Sequence, residues 1–299
     1  MKKIITPLIF LFAFSLSAQY ACQDIKLASG FNKQSINNNA KSDSIDIFHY
    51  HINLDATKIT SQSLIADTEL KFASKIAGVS FMEIDLLKLN IDSIYCTWPI
   101  SNYNYNDTLI RINFGNNLTV NDTQYMTIYY HGTPQGDATG WGGFHFASPY
   151  YYNLGVGFGA DPHTYGRAWF PCFDNFVEKS TYSFAVKTEG GRKAYCNGVR
   201  TAFTHLGGDT LINYWYLTEP IPTYLASVAI SDYEEINSTH NGMPVMLVAR
   251  AGDTTKLKNS FTNMTQTYDA YVSHFGPYMW QKMGYALTTQ GAMEHATSI

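Results

Sequence analysis

The sequence predicts a mainly β protein: an antiparallel β-sandwich or saddle-like sheet assembly, followed by the start of an α/β domain. One observation is composition, since the 299 residues include 22 Tyr and 18 Phe, types that fit pleated, half-buried surfaces. Another is the period-two alternation of apolar and polar residues in short runs from Ile45 to about Tyr233. The third is a change to helical periodicity after Glu235.

The strands and their connections follow from the pattern in chain order. Residues 19–44 are polar and rich in Asn, which indicates a flexible leader. The first two strands are predicted around Tyr50–Leu54 and Leu64–Phe72, where every second residue is apolar or small. Breaks with Gly, Asn and Asp separate further predicted strands, at residues 86–91, 109–114 and 126–130.

The stretch from Gly132 to Gly166 is long, Gly-rich and aromatic, and we interpret it as a loop. A loop of this length in a compact domain is usually functional or a wrongly assigned element. Its Gly155–Gly159 run would suit a dinucleotide only if a helix began directly after it, and Asp161-Pro162 does not supply one. Trp141 and the residues 150–152, all Tyr, support a different hypothesis, a non-catalytic secreted β-sandwich module that binds peptide or glycan.

The periodicity changes in the last quarter of the chain. A strand is predicted at Pro244–Ala249. A single amphipathic helix is predicted from about Thr254 to Phe275, because apolar residues recur there at three- and four-residue steps. Gly276-Pro277 ends this helix.

The composition and the amino terminus bound the class of protein. Hydrophobic residues make up 45% of the chain and charged residues 15%, with a net charge of −4, so we expect a folded protein with no nucleic-acid partner.

Residues 1–18 have the pattern of a secretory signal peptide: two lysines, an apolar run and a small-residue cleavage site. The apolar run is shorter than the ~20 residues of a membrane anchor, and lipid attachment at Cys22 is a further alternative. We expect a secreted, periplasmic or cell-surface protein without a transmembrane segment.

Four segments of the chain form a recognisable set. They are Tyr50–Asp55, Arg167–Asp174 with Lys179–Phe184, Pro222–Ala226 with Ser231–Tyr233, and Gly291–His295. This set resembles the aminopeptidase N family of zinc metallopeptidases. The Arg-Ala-Trp-Phe-Pro-Cys-Phe-Asp174 segment looks like the family's R-x-x-F-P-C-x-D block, and Gly-Ala-Met-Glu-His295 looks like its G-A-M-E-N substrate-binding segment.

The resemblance implies a domain organisation. Residues 45–235 correspond to the family's amino-terminal β domain, and residues 236–299 to the start of its thermolysin-like α/β catalytic domain. The family's zinc-binding H-E-x-x-H helix follows G-A-M-E-N, and no H-E-x-x-H occurs in this sequence. We therefore expect a truncated chain: Zn²⁺ belongs to the full-length protein, no zinc is bound at a catalytic site here, and the chain alone is inactive.

Substrate-binding residues are expected at Gly291, Ala292, Met293 and Glu294. A carboxylate beside the scissile bond can hold a charged α-amine by a charge-assisted hydrogen bond, and the resemblance implies this role for Glu294. Small residues let the backbone of Gly291 and Ala292 lie along the substrate as an extra strand. His295 stands where the family more commonly has Asn, and it still donates and accepts hydrogen bonds.

A second amine anchor is expected from the β domain. In relatives a Gln or Glu lies several residues before the Phe-Pro-Cys block, whereas residues 159–166 contain neither. Asp161 is the candidate substitute, and the alternative interpretation is an Asp-Pro turn residue.

Other residues that could carry chemistry favour structural roles. Cys172 lies inside the Phe-Pro-Cys block, which favours a buried structural Cys over a thiol nucleophile. His49 and His51 share one strand face, but two ligands make a poor metal site. Asp174 and Lys179 are expected to organise the loop that joins the two domains.

The functional hypothesis is the amino-terminal part of a secreted metalloaminopeptidase that removes amino-terminal residues from peptides with a free N-terminus. The non-catalytic binding module remains the alternative, since it explains the missing metal motif without truncation. Against it, the predicted helix and the segment that ends in Glu294 have little to pack on within this chain.

Overall fold

The alternation in the sequence becomes seventeen strands in a computed structural model that describes residues 40–290. Three short α-helices accompany them: α1 (Ala40–Ser44), α2 (Thr254–Ser260) and α3 (Met264–Phe275). The strands, in chain order, are β1 (Ile45–Asp55), β2 (Leu64–Ser74), β3 (Phe81–Asp85), β4 (Asn90–Cys96), β5 (Ile100–Tyr105), β6 (Leu109–Phe114), β7 (Gln124–Gly132), β8 (Gly143–Ala147), β9 (Tyr150–Leu154), β10 (Lys179–Thr188), β11 (Lys193–Cys196), β12 (Val199–Gly207), β13 (Thr210–Pro222), β14 (Val228–Ser231), β15 (Tyr233–His240), β16 (Met243–Arg250) and β17 (Met283–Ala286).

The strands form four sheets. The large sheet has the order β12-β13-β10-β1-β2-β7-β4, and all of its neighbouring pairs are antiparallel except β1 with β10. The four-stranded sheet is β11-β14-β9-β8, the small sheet is β3-β6-β5, and the carboxyl-terminal sheet is β15-β16-β17. The predicted mainly β, antiparallel architecture is confirmed.

The period-two faces of the sequence are the buried faces of the strands. On β1, Tyr50 and Ile52 are fully buried, and on β2, which pairs with it, so are Leu70 and Phe72. A slip of one residue would turn these side chains outward, so the burial of one face fixes the register. The same continuous core contains residues of the large, small and four-stranded sheets.

The predicted loop between Gly132 and Gly166 contains the hairpin of β8 and β9. The strand β9 lies between β8 and β14, and Tyr150, Tyr151 and Tyr152 are all buried. A strand covered on both faces has a continuous apolar run in place of alternation, which is why the sequence pattern did not reveal it. The idea that these tyrosines form an exposed grip for peptide or glycan is therefore wrong.

The predicted single helix from Thr254 to Phe275 is also wrong in detail, because it is broken into α2 and α3. At the break, Ser260 Oγ donates to the Lys256 carbonyl and Thr262 Oγ1 to the Asn259 carbonyl. Such side-chain bonds compete with the helical ladder. No helix among residues 40–290 has both the length and the apolar character that a bilayer crossing requires.

Two boundaries assigned from the sequence fall inside elements. Residues 40–44, part of the predicted leader, form α1, where Ser42 is buried and Lys41 Nζ lies 2.7 Å from Asp85 Oδ1. The boundary between residues 235 and 236 falls within β15, which pairs with β16 along its length. The division into a β domain and a catalytic domain stays a prediction.

Candidate functional site

A cavity of about 690 Å³ lies where the loop after β9 meets the small sheet. Its wall includes Asp161 and Pro162 from the loop, Asp85 at the end of β3, and Arg167. A volume of this size is within the range of natural ligand pockets, and the polar groups that converge on it are those expected of a binding site.

Asp137 holds one side of the loop in place. Its Oδ1 accepts a hydrogen bond from Gly142 N (2.9 Å), and its Oδ2 accepts from Gly159 N (2.9 Å) and Thr139 Oγ1 (2.7 Å). Burial opposes ionisation of Asp137, but these hydrogen bonds outweigh it and lower its pKa. The charged Asp137 carboxylate therefore joins the segment 137–142 to the segment 157–163 through these three hydrogen bonds.

Asp174 holds the other side of the loop. Its carboxylate accepts from Gly166 N (3.1 Å), Arg167 N (3.3 Å), Arg167 Nη1 (3.0 Å) and Thr223 Oγ1 (3.3 Å). Burial raises the pKa of Asp174 to about 6, although the Arg167 guanidinium opposes this rise. Asp174 thus organises the loop that carries Asp161, whereas Lys179 lies exposed at the first residue of β10.

Asp161 is the one predicted substrate-binding residue within the described chain. It is exposed, lines the cavity, and has no hydrogen-bond or ion-pair partner among residues 40–290. The backbone around it turns, with Ala160 N bonded to Gly157 O (3.0 Å) and Gly157 N to His163 O (2.9 Å). It is therefore both a turn residue and a carboxylate free to accept from an amine.

The chain that follows β17 is tied to the first residue of β15 and to β9 of the four-stranded sheet. Tyr233 Oη donates to the Leu287 carbonyl at 2.8 Å, and Tyr152 Oη lies 2.9 Å from Thr289 Oγ1. These contacts fix the segment just before the predicted substrate-binding residues. Those residues lie outside the described part of the chain: Gly291, Ala292, Met293 and Glu294.

No three His, Cys, Asp or Glu side chains within residues 40–290 converge as a metal site requires. His49 is hydrogen-bonded to Thr181 Oγ1 (2.7 Å) and Ser183 Oγ (2.8 Å), and His51 to the same Ser183 Oγ (2.6 Å). Burial is the main cause that lowers the pKa of His49 to about 4. Cys172 is fully buried, and burial raises the pKa of its thiol, so it is a structural Cys.

Sequence reasoning missed Asp137, which the structure places at the centre of the loop network. A signal was present, because Asp137-Ala-Thr-Gly140 has the composition of a turn in which the Asp side chain bonds nearby backbone N–H groups. That signal predicts a local turn. It does not predict the bond to Gly159, which lies 22 residues further along the chain.

Part of the chain is similar in sequence to known aminopeptidases. Aminopeptidase RNPEPL1 of Homo sapiens is 29% identical over 118 residues, which cover 38% of this chain and 15% of that protein. Aminopeptidase Q of Mus musculus is 29% identical over 94 residues, covering 30% of this chain and 17% of that protein. The matched part therefore spans less than a fifth of either relative.

Solved structures of M1 zinc metallopeptidase from Deinococcus radiodurans have the same fold. A mutant bound to a Tyr-Ser-Ala substrate superposes with a TM-score of 0.74 at 19% identity, covering 85% of this chain and 60% of that one. The model of the Peptidase M1 N-terminal domain matches residues 48–225, more than half of the chain. The family resemblance is thereby confirmed, and the chain belongs to the M1 peptidase family, whose N-terminal domain it contains.

Proposed function

We propose that this chain is the substrate-binding amino-terminal part of an exported zinc aminopeptidase that removes amino-terminal residues from peptides. The observation that carries the proposal is the free carboxylate of Asp161 on the wall of the cavity, within a domain that matches the M1 family. The names of the relatives and of the solved structures support the same activity.

Asp161 would bind the α-ammonium of the substrate. A charge-assisted hydrogen bond between an ammonium and a carboxylate is about twice as strong as a neutral one. Asp137 and Asp174 fix the loop on either side, so the backbone that carries Asp161 is positioned before the substrate arrives, which reduces the ordering cost of binding. Glu294 would supply the second acceptor for the same amine.

Zinc would be bound by residues outside the described part of the chain and would supply an activated water for hydrolysis. Residues 40–290 contain no suitable group of ligands. In this proposal the described residues bind and orient the peptide, and they limit attack to the first peptide bond by holding the free amine.

An apolar groove beside α3 supports the view that residues 236–290 begin a larger domain. The groove measures about 700 Å³ and is lined mainly by aromatic residues and methionines. Tyr271 is 63% exposed, Met279 66% and Phe275 81%. An exposed apolar surface of this kind marks a contact site, and we propose that the remainder of the catalytic domain packs on it.

Export is part of the same proposal. Its support is the pattern of residues 1–18, which lie outside the described part of the chain. An exported aminopeptidase would act on peptides outside the cytoplasm.

The test compares the zinc-loaded full-length protein with its Asp161→Asn variant in hydrolysis of an aminoacyl 4-nitroanilide. Loss of a hydrogen bond between charged groups costs about 1.5–3 kcal/mol, so we expect KM to rise by about tenfold or more, with a smaller change in kcat. Glu234→Gln is the matched control, because Glu234 is exposed and does not line the cavity. Activity that survives removal of zinc by a chelator would refute the metalloaminopeptidase, and an unchanged KM would refute the role of Asp161.

A further inference from the structure

Lys282 is a buried lysine directly before β17. It is 3% exposed. Its Nζ donates to the carbonyl of Cys196 at 3.1 Å and to the carbonyl of Gly198, and it lies 4.7 Å from the centroid of the Trp215 ring. The amine thus connects the start of β17 to the turn between β11 and β12.

The turn that accepts these bonds is rigid. The fully buried Asn197 donates from Nδ2 to the Leu225 carbonyl (3.1 Å) and accepts from Ser227 N (2.7 Å). Gly198 has φ +81°, and a Cβ there would lie 2.1 Å from the Tyr216 carbonyl oxygen. The two acceptor carbonyls are therefore held by both side-chain bonds and close backbone packing.

Burying a lysine at this place is costly. Burial is the main cause that lowers the pKa of Lys282 to about 7; the Cys196 thiol opposes this effect and the Arg200 guanidinium adds to it. An apolar side chain of similar length would fill the space without that cost. A polar group retained in such a setting can specify one alignment among several.

The alignment of β17 needs a specifying contact. The strand is four residues long and contains Gly284, and among residues 40–290 it pairs only with β16, with Met283 opposite Val245. Register is weakly specified in short or Gly-containing strands. A slip of two residues would keep each side chain on the same face of the sheet and would move the chain by about 6.6 Å along the strand direction.

We propose that Lys282 is a positioning residue whose amine fixes the register of β17 on β16, and thereby the place from which the chain continues to Gly291–Glu294. A two-residue slip of about 6.6 Å is about twice the 3.1 Å distance from Nζ to the Cys196 carbonyl, so it would break this pair of hydrogen bonds. A charged or a neutral amine can donate to them, so the contact persists in either state. The consequence for substrate binding rests on the function proposed above, whereas the register itself does not.

The test measures hydrogen exchange of backbone amides in the full chain. Lys282→Met keeps the length of the side chain and removes the donor. We expect exchange of residues 283–287 to rise by about tenfold, as loss of these hydrogen bonds implies, while β1 and β10 are unchanged. Lys75→Met is the matched control, because Lys75 Nζ also donates to a backbone carbonyl, that of Ser42 in α1 (2.8 Å), and neither α1 nor the neighbouring β2 pairs with β17; it should leave residues 283–287 unaffected.

Two results would overturn the proposal: unchanged exchange at residues 283–287, or a uniform rise across all strands. If Lys282→Met does not fold, Lys282→Gln serves instead, because it remains polar but cannot reach both carbonyls. In the zinc-loaded full-length protein, we expect Lys282→Met to raise KM more than it lowers kcat. Faster exchange with an unchanged KM would refute only the link to substrate binding, and an inactive wild-type protein would refute only the proposed function.

Discussion

A carboxyl whose pKa is raised by burial destabilises the folded protein wherever it is ionised, and Asp174 is such a group. Its pKa rises from 3.8 to about 6, with burial as the largest cause. Each pKa unit corresponds to 1.36 kcal/mol, so ionisation of Asp174 costs the fold about 3 kcal/mol. Between pH 3.8 and 6 the folded state binds this proton and the unfolded state does not. The stability that comes from proton binding at Asp174 is therefore fully present below pH 3.8 and is lost as the pH rises through 6.

The perturbation is Asp174→Asn, which does not titrate and keeps an acceptor oxygen for Gly166 N or Thr223 Oγ1. Urea unfolding of the wild type and the variant at pH 4, 5, 6 and 7 gives the difference in unfolding free energy. Other titrating groups cancel in this difference. We expect the wild type to lose about 2.4 kcal/mol relative to the variant between pH 4 and pH 7, since part of the full change lies below pH 4.

Asp137→Asn is the control, because the pKa of Asp137 is shifted in the opposite direction from that of Asp174. Hydrogen bonds lower the pKa of Asp137 below 3.8, so its contribution is lost only as the pH falls below that value. The difference between wild type and Asp137→Asn should therefore be flat from pH 5 to pH 7. If the wild type gained stability relative to Asp174→Asn as the pH rose, the ion pair with Arg167 would outweigh burial, and the reasoning would be refuted.

Two further predictions concern packing and surface. Gly155→Ala would place a Cβ 1.7 Å from the Tyr224 carbonyl oxygen, so we expect the free energy of unfolding to fall by about 1–3 kcal/mol or more in thermal unfolding. The control is Gly252→Ala: its Cβ would have no atom within 4 Å, and it should change the free energy of unfolding by less than about 0.5 kcal/mol. Phe275→Ser removes the 81% exposed ring of the last residue of α3 and should reduce binding of an apolar fluorescent dye at unchanged Tm. Equal stability of the two glycine variants, or unchanged dye binding, would contradict the respective prediction.

The sequence was sufficient to predict the strands that have one buried face and one solvated face. In β1 and β2 the alternation around Tyr50 and Leu70 records the local environment of each residue, and no distant contact is needed to interpret it. It was insufficient for β9, because burial on both faces removes the alternation. It also missed the break between α2 and α3, where Ser260 and Thr262 compete for backbone carbonyls inside a pattern that is otherwise helical.

In the candidate site, too, some residues could be predicted from the local sequence and others could not. Asp161 was found through its position before the Phe-Pro-Cys block, a property of the sequence alone. The contact of Asp137 with Gly159 and that of Lys282 with Gly198 join residues 22 and 84 positions apart. Such contacts depend on how the sheets pack, which local patterns do not encode. Both were therefore invisible before the fold was known.

The strand β9 connects the two parts of the proposed substrate site. Its Tyr152 hydroxyl contacts Thr289, just before Gly291, and its last residue, Leu154, leads directly into the loop that carries Asp161. Because β9 is buried between β8 and β14, it cannot shift without disturbing the core. The loop that carries Asp161 and the contact at Thr289 thus both depend on one buried strand, and a change in β9 should alter both together.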